Sequence, residues 1–155
     1  MATIRTATLD DLPVLKQFEQ GIIAAERPYD SLLRPDPISY YDLADLIAAE
    51  DAVVMVAEVD GAIAASGYAK RRASRPYTEP AFHAFLGFMF VLPEHRGRGL
   101  NGKLLDALLE WSREHGLTEI RLTVYPGNEP AVRAYEKAGF SPYLVEMRRS
   151  IGPQD

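Results

Sequence analysis

The sequence predicts an α/β (α+β) domain: a mixed, mostly antiparallel central sheet flanked by helices, in the order β-α-α-β-β-β-α-β-α-β. Three observations carry this expectation. Two β-rich runs meet at Asp60-Gly61, a strong signal for a tight hairpin and therefore for antiparallel neighbours. In the second half, helical stripes alternate with short apolar runs, the pattern of strand–helix–strand units. The chain has 155 residues, which suits one compact core and leaves little room for two. A single domain is expected over residues 1–151, with a flexible tail at 152–155 around Gly152-Pro153.

Residues 3–8 alternate and form a short first strand. Thr8 followed by Asp11 makes a capping-box-like helix start, and Leu12, Leu15, Phe18 and Ile22 recur at helical spacing to about Ala25. Pro28, Pro35 and Pro37 exclude regular structure from residues 26–37, so a long surface loop follows. Ser39 can cap a short second helix through about Ala49. Residues 52–59 and 62–71 are the hairpin strands, and Pro76 and Pro80 mark the next loop. Residues 81–92 form a long apolar strand stopped by Pro93. A helix over 100–115 carries Leu104, Leu108 and Trp111 on one stripe, with Gly116 as its C-cap. Residues 117–125 read as a strand with Ile120, Leu122 and Val124 on one face. Pro130 opens a helix that stops at Gly139, and residues 143–149 alternate as a last strand.

Composition narrows the function classes. The net charge is −5, from 17 basic and 22 acidic residues, which argues against a protein that covers nucleic-acid phosphates. No apolar run approaches the ~20 residues of a membrane span, so a cytoplasmic protein without a membrane partner is expected. The absence of cysteine removes disulfides, thiolate metal sites and any acyl-cysteine intermediate. No metal site is expected.

The sharpest local signal is the turn Arg96-Gly97-Arg98-Gly99-Leu100-Asn101, set between an apolar strand and a helix. Helix N-termini leave amides unpaired and carry partial positive charge, glycines let a ligand approach the backbone, and two arginines add formal charge. Such a site suits a pyrophosphate. Residues 97–102 also match G-x-G-x-x-G, the dinucleotide fingerprint. A dinucleotide fold wants an acid at the far end of the next strand, however, and here Glu119 sits near that strand's start. A Walker A loop is excluded because no Gly-Lys-Ser/Thr is present.

This turn resembles the acyl-CoA motif of the GCN5-related N-acetyltransferase (GNAT) superfamily, Gln/Arg-x-x-Gly-x-Gly/Ala, departing from it at Asn101. A second stretch is similar to the family's later signature: Leu122-Thr123-Val124-Tyr125-Pro126-Gly127-Asn128, then Ala131, Tyr135 and Gly139-Phe140. The order of elements across nearly the whole chain agrees. The resemblance implies acetyl-CoA as acyl donor, an amine as acceptor and direct attack in a ternary complex. It also implies cofactor contacts at Phe90, Val91, Arg96, Gly97, Arg98, Gly99, Leu100, Asn101, Asn128 and Tyr135. The strand around 88–91 would splay from that at 122–125, with pantetheine paired to backbone near Phe90 and Val91. Tyr135 is implied as the general acid for the departing thiolate, and a homodimer is a common arrangement in the family.

Many family members carry a glutamate base on the strand before the turn, where this chain has Gly87 and Phe88. His83, Glu58, Glu79, Glu146 and a water relay are the alternatives, His83 standing about 13 Å along the strand from Gly87. The missing glutamate keeps a second function open, an acyl-CoA-binding sensor with little catalysis. The family builds its acceptor pocket near the segments here occupied by Glu26, Tyr29 and Tyr41, where acids beside aromatics suit a cationic amine. Arg71, Arg72 and Arg75 form a basic cluster able to steer an anionic acceptor.

Overall fold

The computed structural model describes residues 1–153; Gln154 and Asp155, half of the expected tail, lie outside the described residues. Two compact units are present, Met1–Thr123 and a second beginning at Val124.

The first unit is built on a five-stranded sheet in sequence order: β1 (Ala2–Thr6), β2 (Ala52–Val59), β3 (Ala62–Ala73), β4 (Phe82–Val91) and β5 (Ile120–Arg121). The first four strands pair antiparallel and β5 runs parallel to β4, giving the expected mixed sheet. The β2–β3 turn takes left-handed backbone at both Asp60 (φ 53°) and Gly61 (φ 80°). That geometry matches the right-handed twist of the strands, which is why Asp-Gly marks the hairpin.

Helix α1 (Leu12–Glu26) and helix α2 (Leu43–Ala48) cover one face, burying Leu15, Phe18, Ile22, Leu43 and Leu46 against Val54, Val56, Tyr68 and Phe88. Helix α3 (Leu100–Glu114) covers the other, placing Leu100 and Leu104 over Ala57, Ala64 and Ala65. The small side chains on β2 and β3 let α3 lie close to the sheet. Gly67 does the same further along, since a Cβ there would meet the Met89 sulfur at 2.6 Å and Leu108 at 3.0 Å. Trp111 is half-buried and stacks on His115 at 4.1 Å, while Ser112 takes the fully buried place. Its hydroxyl donates to the Leu108 carbonyl at 2.8 Å, so the polar atom is satisfied within the helix.

Two expectations about the first unit are corrected. The second helix starts at Leu43 rather than at Ser39, because Asp42 caps it by accepting the Asp45 amide at 3.1 Å. Ser39 instead donates to the buried Glu19 carboxylate. The strand expected at 117–125 contracts to Ile120–Arg121, paired with Ala84 and Phe85.

The second unit holds α4 (Glu129–Lys137), with Asn128 at its N-cap position and Pro130 in its first turn. Gly139 adopts φ 100°, the left-handed conformation that ends helices. Residues 143–149, expected as a strand, are assigned no strand among the described residues.

Candidate active site

Strand β4 changes character at Phe88. Ser66 pairs with Phe90 and Tyr68 with Gly87, so the single residue Gly67 faces two, Phe88 and Met89. This is a bulge, and Phe88 adopts φ 58° within it. A phenylalanine tolerates that backbone only with strong anchoring. Its ring is buried among the α1 and α2 side chains, and its carbonyl accepts the Ser66 hydroxyl at 3.0 Å. Past the bulge the strand is re-aimed, and β5 contributes no pair beyond Phe85. The β4 edge from residue 86 to 91 therefore carries no β5 pairing.

Phe90 and Val91 end this strand, followed by a single helical turn at Pro93–His95. Gly97 (φ 78°) and Gly99 (φ 76°) both take left-handed backbone, and Gly99 stands at the N-cap of α3. A glycine cap offers no side chain to the first-turn amides, so those donors are left for a ligand. Leu100 is buried and pins the helix start to the core. Asn101 lies inside the first helical turn and is absent from the left-handed residues, so its side chain imposes no unusual backbone. Arg96 donates from Nε to the Val91 carbonyl at 3.1 Å, bracing the turn against the strand end. Arg98 is exposed beside it.

A second group of side chains meets β4 from the α1 and α2 side. Glu19 is buried on the apolar stripe of α1, and its carboxylate accepts the amides of Tyr40 at 3.0 Å and Tyr41 at 2.8 Å. The Ser39 hydroxyl adds a bond at 3.2 Å. These contacts hold residues 39–41 in one conformation and set the Tyr41 ring 5.5 Å from both Tyr68 and Phe88. The Tyr41 phenol is pushed well above its usual range by burial, then by Tyr68 and Glu26, with the Phe88 amide opposing. Tyr68 is raised by burial and opposed by Arg72. Glu26, the last residue of α1, is half-buried. Burial raises its carboxyl pKa; the nearby Tyr40 phenol pulls the other way, and Asp30 raises it further. Beside this corner a cleft of about 570 Å³ is lined by Lys16, Glu19, Gln20, Tyr41 and Asp42 among others.

The structure thus brings Glu26 and Tyr41 together and leaves Tyr29 exposed on the turn Arg27–Tyr29. Tyr68 and Glu19 went unread in the sequence. An acid inside the stripe Leu15, Phe18, Ile22 was the available signal for Glu19. Tyr68 had none, since an aromatic in a strand is ordinary. A Cβ on Gly87 would meet the Tyr68 hydroxyl at 2.7 Å, so the phenol occupies the space of the absent side chain.

Two of the alternative bases are engaged elsewhere. Glu58 pairs with Arg5 at 2.6 Å. His83 is buried with Nδ1 2.9 Å from the Ser74 hydroxyl, and burial, Arg121 and Arg72 lower its pKa. Glu79 is exposed on its loop, and Glu146 belongs to the second unit. The basic cluster is stacked: Arg71 lies over Phe82 at 3.5 Å, Arg72 over Phe85 at 3.9 Å and Arg75 over Tyr77 at 5.6 Å. In the second unit, the Asn128 carbonyl accepts the Val132 amide at 3.1 Å and its own amide donates to Tyr125 at 2.9 Å. The Tyr135 ring meets Phe140 edge-on at 5.8 Å.

The site is thus a bulged strand that leads into a glycine turn and a helix without a side-chain cap, on a mixed α/β sheet. The family model "Acetyltransferase (GNAT) family" matches residues 20–140, and the chain belongs to that family. Among curated relatives, a mycothiol acetyltransferase of Corynebacterium aurimucosum is 50% identical over 48 residues, covering 31% of this chain and 16% of that protein. The fold is shared with a predicted acetyltransferase of Clostridium acetobutylicum solved with acetyl-CoA (TM-score 0.72, 21% identity, 96% of each chain). An aminoglycoside N-acetyltransferase, AAC(6')-Iy, solved with CoA, also shares it (TM-score 0.72, 19% identity, 96% of this chain and 100% of that one). Among the described residues no helix is long and apolar enough to cross a membrane, and no group of three or more potential metal ligands is found.

Proposed function

We propose that this chain is an acetyl-CoA-dependent N-acetyltransferase that moves an acetyl group to an amine of a small molecule or peptide, by direct attack in a ternary complex. The observation that carries the reading is the turn after β4, with Gly97 and Gly99 in left-handed backbone at an N-terminus lacking a side-chain cap. Amides of this turn, with Arg96 and Arg98, are arranged for the pyrophosphate of CoA, and Leu100 and Asn101 begin the helix behind it. The unpaired edge at Phe90 and Val91 suits a pantetheine arm lying along the strand. The acetyl-CoA and CoA bound by the two structural relatives support the same donor.

Asn128 and Tyr135 take their roles from the motif they match, Asn128 as a cofactor contact and Tyr135 as the acid that protonates the leaving thiolate. The absence of cysteine agrees with attack of the amine on the thioester itself, since no thiol can take the acetyl group first. The aromatic and acidic corner of Glu26, Tyr40 and Tyr41 favours a cationic acceptor, with Tyr29 on the loop beside it.

Thermal melting with acetyl-CoA, CoA and NAD, followed by a screen of amines and peptides for CoA release, tests the reading. Acetyl-CoA and CoA should raise the melting temperature and at least one amine should release CoA. Stabilisation by NAD alone would overturn it. Stabilisation by acetyl-CoA with no release from any acceptor would favour the sensor reading, which rests on the lack of a carboxylate at Gly87 and Phe88.

A further inference from the structure

We propose that Arg72 sets acceptor specificity by holding an oxyanion, a carboxylate or a phosphate, at the far end of the amine that is acetylated. The substrate class is then an amine that carries an anionic group. This assignment rests on the acetyl-transfer reading above.

The three arginines that cluster in the sequence are separated by the fold. In an antiparallel pair successive side chains alternate between the two faces, and residues in register share one. Tyr68 pairs with Gly87, Lys70 with Phe85 and Arg72 with His83, so these six lie on one face. It is the face of α1 and α2, because Tyr68 and Phe85 both pack in the core beneath those helices. Arg71 pairs with Ala84 and lies on the opposite face, where it stacks over Phe82 at 3.5 Å. Arg75 has left the strand and lies over Tyr77 on the loop. Of the three, only Arg72 shares a face with Tyr68 and Gly87 at the bulge.

Arg72 also leans toward that bulge. Its guanidinium lies 3.9 Å from the centre of the Phe85 ring rather than over its own partner His83, a displacement along the sheet toward Gly87. Phe85 stands two residues, about 7 Å, before Gly87. Stacking on a ring fixes the guanidinium plane and leaves its N–H edges open for bidentate bonding to an oxyanion. Arg72 is exposed. Among the described residues neither Arg72 nor Lys70 is held in an ion pair, with the neighbouring Glu119 or any other acid. Arg121, in register with Phe85 from β5, adds positive charge along the same face.

The amine end of the acceptor meets the donor. With pyrophosphate at residues 96–99 and pantetheine along Phe90 and Val91, the arm directs its thioester back toward the bulge at Phe88. There the Tyr41 ring lies 5.5 Å from both Tyr68 and Phe88, an aromatic wall for an alkylamine. A chain of roughly six carbons spans the distance from an amine at the bulge to an oxyanion on Arg72.

The experiment measures initial rates with acetyl-CoA for 6-aminohexanoate, 6-aminohexyl phosphate, 6-aminohexanamide and 1,6-diaminohexane, which differ in the group at the far end. The unaltered protein should show kcat/KM about tenfold higher for at least one oxyanion than for the amide, a preference that falls as salt is raised. The better oxyanion names its source. Arg72→Ala should bring that ratio to about one, through KM, while the amide rate changes by less than about twofold. Arg72→Lys should keep part of the preference, and Arg72→Glu should turn it toward the diamine. Arg71→Ala should leave every ratio intact, because Arg71 lies on the other face. Equal losses for all four acceptors in Arg72→Ala, or the same loss of preference in Arg71→Ala, would overturn the assignment. So would acetylation of amines with no preference for either oxyanion. An unaltered protein that binds acetyl-CoA but acetylates no amine of the wider screen would instead remove the acetyl-transfer reading, and the role of Arg72 with it.

Discussion

The Asp11 carboxylate accepts the Arg5 guanidinium at 2.8 and 2.9 Å and the Thr8 amide at 2.8 Å. The Arg5 bonds dominate and hold its pKa down at about 2, against the ordinary 3.8. A depressed carboxyl pKa contributes stability that is present above pH 3.8 and is lost as pH falls toward 2. Acid unfolding should therefore show a component in that window, which Asp11→Asn removes, at a cost of about 1–2 kcal/mol at pH 7. Equilibrium denaturation as a function of pH checks it. The capping role of Asp11 was readable from Thr8 three residues before it; the arginine was not, because it arrives from β1 through the fold. Tyr135 belongs to the same scale. Tyr135→Phe should lower kcat about 100-fold while leaving CoA affinity nearly intact, measured by steady-state kinetics and titration with CoA. Unchanged turnover would remove Tyr135 from its role.

Two glycines illustrate different reasons for the same residue at the scale of the element. At Gly99 a Cβ would meet nothing within 4 Å, yet the backbone is left-handed, so the requirement is conformational. Gly99→Ala should cost about 1–2 kcal/mol and weaken CoA binding by tilting the first turn of α3. At Gly87 the backbone is ordinary but the Tyr68 ring lies 2.6 Å from a Cβ position. Gly87→Ala should cost about 1–3 kcal/mol, and much less in a Tyr68→Leu background, where the phenol is gone. Chemical denaturation of the single and double variants separates the two causes. The turn at residues 96–101 was legible because glycine and helix-start signals are local. The bulge at Phe88 was not, since nothing in Gly87-Phe88-Met89 announces that Gly67 will face two residues. The short α2 has the same explanation: Asp42 and Ser39 are both capable caps, and the buried Glu19 claims Ser39.

For the whole molecule, acetyl-CoA that binds only the folded state should stabilise it by about 2.7 kcal/mol at 100 times its Kd. A melt series over ligand concentration checks this, and a melting temperature independent of concentration would contradict a folded-state site. The chain carries a net charge of −5, so in the proposed site the attraction of a polyanion would fall to Arg96, Arg98 and the amides of α3.

The sequence by itself determined the mixed sheet, the hairpin at Asp60-Gly61 and the glycine turn at 96–101, because each depends on local backbone preference or local periodicity. Family membership was also readable, from two motifs at matched spacing. Tertiary structure alone decided which polar groups meet: Glu19 with residues 39–41, Tyr68 over Gly87, and Glu26 beside Tyr40 and Tyr41. It also limited β5 to two residues, Ile120–Arg121. The reason is common to all of these. Pairing and burial are relations between segments far apart in the chain, and they set the environment of a carboxyl or phenol that composition and spacing leave open.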